Sequence, residues 1–118
     1  MIIQGTGIDI IEVDRIKRAI KRWGNGFLNH VFNKAEIAYA QKHKNPNPHY
    51  AARFAAKEAI FKAIGDNPTI TWKDITILND KNGTPYCVFK KEKKIKKKIL
   101  ISLSHTQNYA VAHAIVTK

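Results

Sequence analysis

Arg53-Phe54-Ala55-Ala56-Lys57-Glu58-Ala59-Ile60-Phe61-Lys62-Ala63-Ile64-Gly65 is the stretch around which the rest of the chain is arranged. Most of these residues are good helix formers, and Gly65 supplies a natural stop. Wound at about 3.6 residues per turn, Ala52, Ala56, Ala59 and Ala63 fall on one stripe, low enough for another backbone to approach closely. Phe54 and Phe61 fill a second stripe with bulky apolar surface. The pattern predicts a central helix buried over most of its circumference. Glu58 and Lys62 lie one turn apart at its margin, where charges need partners. From the helix alone, an i,i+4 ion pair on the flank and partners elsewhere in the chain are both open.

The chain of 118 residues, 44% hydrophobic and 25% charged, has the length and composition of one globular domain, predicted to run over 1–118. Its single cysteine, Cys87, can form no internal disulfide and has no CxxC partner, so neither a disulfide scaffold nor a zinc ribbon is indicated. The N-terminus lacks a basic region followed by an apolar run, and no apolar run approaches a membrane span. A cytoplasmic protein without membrane attachment is expected.

A net charge of +12 calls for an acidic partner or a solvated surface. The lysine-rich run at 90–98 fits a nucleic-acid tail or a solvated helix face, and its internal position before a strand pattern favours the solvated face. The other basic cluster is more ordered. Val13, Ile16, Ile20 and Trp23 recur at helical spacing, and the outer face of that helix carries Arg15, Lys17, Arg18, Lys21 and Arg22. This face fits an acidic partner better than bare solvent.

Residues 2–11 read as a strand, with Gly5 and Gly7 permitting a close approach and Asp9 near its end. By itself Asp9 also fits a strand-end turn or capping residue. Gly24 and Gly26 end the first helix, 27–32 forms an apolar patch, and Asn33 with Glu36 has capping-box spacing for a helix to about Gln41. The Asn45-Pro46-Asn47-Pro48 loop precedes the central helix, which starts at about His49. Residues 70–78 read as a strand, 79–83 as a turn with an Asn-Gly pair, and 86–89 as the returning arm of a hairpin. Residues 99–104 alternate and lead to His105. A turn at 106–108 then enters a last strand whose Ala110, Ala112 and Ala114 can face the alanines of the central helix. The class is α+β: an antiparallel sheet packed against a buried central helix.

Two carboxylates, Asp9 and Glu58, without clustered His or Cys suit a hard, oxygen-seeking ion such as Mg²⁺ with phosphates completing its shell. Lys62 could neutralise a phosphate, and His105 could add a polar contact. The five histidines show no metal-ligand spacing with the cysteine, and neither a Walker A nor a GxGxxG motif occurs.

Three segments carry a resemblance. They are the run from Gly7-Ile8-Asp9 to Arg15-Ile16, then Arg53-Phe54-Ala55-Ala56-Lys57-Glu58-Ala59, then Ser102-Leu103-Ser104-His105-Thr106. Together they resemble the motifs of the holo-[acyl-carrier-protein] synthases, small bacterial 4′-phosphopantetheinyl transferases. Asn82-Gly83-Thr84-Pro85 is similar to the family's Gly-x-Pro turn. One departure stands out: Gly65-Asp66-Asn67 replaces the family's Gly-Thr-Gly, which puts a substrate contact from that loop in question.

The resemblance implies the 4′-phosphopantetheinyl transferase fold in a single-copy subunit. It also implies transfer of phosphopantetheine from coenzyme A to a serine of apo-acyl carrier protein, releasing 3′,5′-ADP, in fatty acid biosynthesis. Asp9 and Glu58 match the catalytic, Mg²⁺-binding acids. Lys62, Gly83, Pro85, His105 and Thr106 match positions at the coenzyme A site. The serine proton would pass to Glu58 or to a water on the ion. Arg15 sits where the family docks its acidic carrier, and Arg18, Lys21 and Arg22 extend that face. The family also implies a homotrimer with sites at subunit interfaces, the alternative being a monomer whose own hairpin covers the site. A nucleic-acid-binding protein would explain the charge but leave Asp9 and Glu58 without a role, and stacking aromatics are missing. A two-metal nuclease would need a further acidic cluster.

Overall fold

The structure is a computed structural model and describes residues 2–65, 67 and 69–118. Its central element is the helix α4, Asn47–Ile64, with Pro48 in the first turn, where a missing N–H costs nothing. Before it come strand β1 (Ile3–Glu12) and helices α1 (Val13–Trp23), α2 (Asn25–Val31) and α3 (Lys34–Gln41). After it come strands β2 (Ile75–Asn79), β3 (Pro85–Phe89), β4 (Lys98–His105) and β5 (Tyr109–Thr117).

The alanine stripe performs as its composition dictates. Ala52, Ala56, Ala59 and Ala63 are buried, as are Ala110, Ala112 and Ala114 of β5. The approach is closest at β1. A Cβ added to Gly5 would lie 2.0 Å from the carbonyl oxygen of Ala63, and one added to Gly7 equally close to that of Ala59. At these two positions no side chain fits between the strand and the helix. β1 and β4 both pair antiparallel with β5, which gives the order β1-β5-β4 with α4 lying across one face. The opposite face is open and apolar: Ile8 and Ile10 are 63% and 67% exposed.

Four expectations change. The strands form two antiparallel sheets, since among the described residues β2 and β3 pair only with each other. The strand expected over 70–78 begins only at Ile75, because Asp74 Oδ2 accepts from Thr71 N (2.8 Å) and Thr71 Oγ1 (3.1 Å), folding Trp72–Asp74 into a single 3₁₀ turn. Gly26 does not end a helix but lies inside α2, which turns the apolar patch at 27–32 into a helical face carrying buried Leu28 and Val31. The lysine run is no helix face: one 3₁₀ turn at Lys91–Lys93 leads into extended chain and β4, with most of its lysines in solvent.

The core contains an ion pair that the sequence does not announce. Lys57 and Glu36 are both fully buried, 2.8 Å apart. Lys57 Nζ also donates to the carbonyls of Val31 (2.7 Å) and Trp72 (3.0 Å), while Glu36 accepts from the backbone N–H of Asn33 and of Ile77 (2.8 Å each). The capping box read from Asn33 and Glu36 is thus half of a larger knot joining α2, α3, α4 and β2. Burial pushes the Lys57 ammonium below its usual pKa, and Glu36 pulls it back up. The Cys87 thiol, pushed by burial to about 11, is an inert apolar group.

Candidate active site

Odd-numbered residues of β1 face α4, which aims Asp9 at the helix. Lys62 Nζ meets it there, donating to Asp9 Oδ1 (3.2 Å) and to the carbonyl of Ile8 (2.9 Å). The i,i+4 pair with Glu58 is therefore not what forms: the ion pair of Lys62 is long-range. Asp9 is not a capping residue at a strand end either, since its side chain is only 17% exposed. Glu58, half-buried, has its carboxyl lifted above the usual range by burial and then by the charge of Asp9, with Lys62 opposing both. Asp9, Glu58 and Lys62 thus share one electrostatic neighbourhood, spanning β1 and α4. A cleft of about 640 Å³ opens beside them, lined by Phe61, Lys62, Gly65, Asn67 and Trp72 among others. It runs along the segment where the chain departs from Gly-Thr-Gly, of which Asp66 lies outside the described residues.

The remaining predicted site residues gather elsewhere. His105 is opposite Ala110, on the α4 side of the sheet, and its ring meets that of His49 at 5.1 Å. Arg53, buried, hydrogen-bonds Asn79 Oδ1, and Asn79 Nδ2 donates to the carbonyl of Gly83 (3.0 Å). Gly83 has φ 84°, a conformation that suits only glycine in this turn, and Pro85 starts β3 directly after it. The Thr106 hydroxyl accepts from the backbone N–H of Asn108 (3.2 Å) and Tyr109 (3.1 Å), fixing the β4–β5 turn beside His105.

The helix separates the two groups. Glu58 is nine positions from His49, and Lys62 nine from Arg53, which at ~100° per residue is half a revolution and about 14 Å along the axis. One group lies toward β1 and the other toward β4, the two edges of the three-stranded sheet. Sequence reasoning missed Arg53, His49, His43 and Tyr39 in the second group. Arg53 was in the deciding stretch, but nothing in its spacing set it apart from a helical residue.

On α1, Arg15, Arg18, Lys21 and Arg22 are exposed. Arg18 is tied to Asp14 by an i,i+4 pair of 2.9 Å, and the Arg22 guanidinium lies 4.9 Å from the Trp23 ring centre. No described helix is long and apolar enough to cross a membrane.

The chain matches the 4′-phosphopantetheinyl transferase superfamily over residues 5–114. It is 47% identical over 118 residues to a holo-[acyl-carrier-protein] synthase of Thermodesulfovibrio yellowstonii, an alignment that covers 98% of this chain and 99% of that one. The chain belongs to the holo-[acyl-carrier-protein] synthase family of this superfamily. The fold agrees with solved holo-[acyl-carrier-protein] synthases. That of Bacillus anthracis, in complex with CoA (3′,5′-ADP), superposes with a TM-score of 0.86 at 31% identity, covering 98% of this chain and 97% of that one. That of Helicobacter pylori, in complex with coenzyme A, gives 0.84 at 31% identity over 95% and 99%. The three resembling segments lie on β1 and α1, on α4, and on β4 with its turn, so the family's motifs coincide with the two groups flanking the helix.

Proposed function

We propose that this chain transfers 4′-phosphopantetheine from coenzyme A to a serine hydroxyl of apo-acyl carrier protein, with 3′,5′-ADP as the leaving group, in the cytoplasmic supply of carriers for fatty acid biosynthesis. The observation that carries the reading is the convergence of Asp9, Glu58 and Lys62 from two elements beside an open cleft, within a chain of this family.

In the reaction a bond forms between the serine oxygen and the pantetheine-side phosphorus. The bond from that phosphorus to the pyrophosphate bridge oxygen breaks. Lys62 Nζ balances charge on the phosphates, as it balances Asp9 in the free protein. Glu58 is our choice for the group that takes the serine proton, since burial and the charge of Asp9 lift its carboxyl above the usual range.

The same pair fits a divalent cation. Two oxygen donors that repel one another suit Mg²⁺, which takes one or two carboxylates and fills its shell with water and substrate phosphates. Among the described residues no set of three His, Cys, Asp or Glu side chains gathers to make a fuller protein cage. Asp9 and Glu58 would hold the ion, which when bound supplies Lewis-acid stabilisation of the pyrophosphate.

A homotrimer completes the reading. One nucleotide needs the Asp9 group and the His105–Gly83 group together, yet they lie on opposite flanks of α4, so we assign one to each of two neighbouring copies. The open apolar face bearing Ile8 and Ile10 is the surface such an assembly would bury. The basic face of α1, with Arg15 and Lys21 free of any ion pair among the described residues, is assigned to the acidic carrier.

The direct test is mass spectrometry of apo-acyl carrier protein incubated with the chain, coenzyme A and Mg²⁺. A gain of one phosphopantetheine on serine, abolished by EDTA and restored by Mg²⁺, is the expected result. An unmodified carrier would overturn the reading.

A further inference from the structure

The group around His105 has an unusual composition. His43 and His49 stack face to face, ring centres 3.6 Å apart and planes 23° from parallel. His105 closes on His49 edge-on, and Tyr39 contacts both stacked rings at 5.0 and 5.7 Å. The Arg53 guanidinium lies 3.9 Å from the centre of the Tyr39 ring. The groups facing His49 are therefore Tyr39 and His43 from α3 and its end, Arg53 from its own helix, and His105 from β4. Among the described residues no carboxylate pairs with any of them. His43 Nδ1 lies 3.0 Å from the Tyr39 carbonyl, so it is the donor there and leaves Nε2 as the basic nitrogen of the neutral ring.

Imidazoles stacked this tightly beside a guanidinium cannot all be charged. Burial, then His43, His105 and Arg53, hold His49 down at about 4, so its ring is neutral around pH 7. An arriving anion reverses that balance, because it attracts the proton that the neighbours repel.

Resting on the transferase reading above, we propose that His43, His49 and His105 form a proton-linked seat for a phosphate dianion of the nucleotide, and that ligand binding protonates the stack. The sign follows from linkage. The bound form holds more protons than the free form, so affinity rises as pH falls, by at most about tenfold per pH unit for one proton. The gain ends near pH 6, where a phosphomonoester itself becomes protonated.

Calorimetric titration of the intact protein with coenzyme A at pH 7, in buffers of low and high ionisation enthalpy, counts protons directly. Net uptake is expected for the native chain, and its loss in both His49→Phe and His49→Gln, with a flattened pH dependence of Kd. His49→Phe keeps a stacking ring, so a fold defect is separated from a lost proton site. Uptake that persists with 3′-dephospho-coenzyme A assigns the pyrophosphate to the seat, and uptake that disappears assigns the phosphomonoester. Native proton uptake in both His49 variants overturns the proposal.

If coenzyme A does not bind at all, the transferase reading fails, and the seat is judged with inorganic phosphate alone. An upward shift of the His49 titration, followed by NMR of the ring protons, supports it; an unmoved titration overturns it.

Discussion

Lys57 and Glu58 are neighbours on one helix and have opposite surroundings. Lys57 is sealed in the core with three acceptors around its ammonium, and its partner Glu36 is saturated as well. Glu58 is half-buried beside a second carboxylate, and among the described residues no side chain hydrogen-bonds or pairs with it, Lys62 acting on it only through its charge. The first arrangement leaves nothing for a ligand to add. The second leaves a carboxylate whose charge is costly until a cation or a proton arrives. Polar groups that are satisfied hold structure, and those that are not provide binding energy for something else.

Breaking the satisfied pair is expected to have the largest effect. Lys57→Met strands Glu36 in the core and costs about 3–5 kcal/mol, whereas Lys57→Met with Glu36→Met together recovers much of the loss. Urea denaturation midpoints of the two variants measure this. If both variants unfold alike, the knot is not a coupled unit.

On the other side of the peptide bond the outcome inverts. Glu58→Ala and Asp9→Ala lower transfer at least about 100-fold through lost alignment of the reacting groups. Relief of the strained carboxylate keeps the thermal midpoint unchanged or raises it slightly. Steady-state rates and calorimetry on the same samples check both halves, and a destabilised Glu58→Ala would erase the contrast.

The shared site can be examined by subunit mixing. Glu58→Ala and a variant disrupted at Gly83-Thr84-Pro85, each inactive alone, regain part of the activity after exchange if the two flanks of α4 come from different copies. A mixture that stays inactive, or a monomer in sedimentation, contradicts the trimer.

A smaller effect belongs to α1. Reversing Arg15, Lys21 and Arg22 to Glu raises the carrier KM several-fold and leaves that for coenzyme A unchanged, while Arg18→Ala alone does little because Arg18 is held by Asp14. The native carrier KM rises with salt as screening shortens to about 3 Å near 1 M.

The smallest is a pH effect on the free protein. His49 titrates lower in the fold than in the unfolded chain, so the unfolded state binds more protons between about pH 6.5 and 4. Stability therefore falls through that window as pH is lowered, and His49→Phe removes this component of a thermal-melt series.

The helix, its alanine contact with β5 and the capping box were legible because each is a local pattern: a 3.6-residue period, alternation, and a spacing of three between Asn33 and Glu36. The acidic pair and Lys62 were legible through residue chemistry and the family motifs. What escaped depends on contacts far apart in sequence. Nothing near Lys57 marks it as buried rather than Lys62, because the difference is made by the carbonyls of Val31 and Trp72. The late start of β2 followed from the Thr71–Asp74 turn, a short-range bond that overrides the β-forming character of Ile70 and Thr71. The histidine stack unites positions 43, 49 and 105, which no periodicity connects.

The contact of Gly5 and Gly7 with the carbonyls of Ala63 and Ala59 has a mechanical consequence. With backbone resting on backbone there is no layer of side chains to slide or repack, so β1 and α4 behave as one stiff part. Asp9 is mounted on one arm of that part and Glu58 and Lys62 on the other, and the gap between them is set like the jaw of a fixed spanner. Adjustment to a large substrate then falls to the joints between copies and to the exposed lysine-rich turn, while the jaw keeps its width.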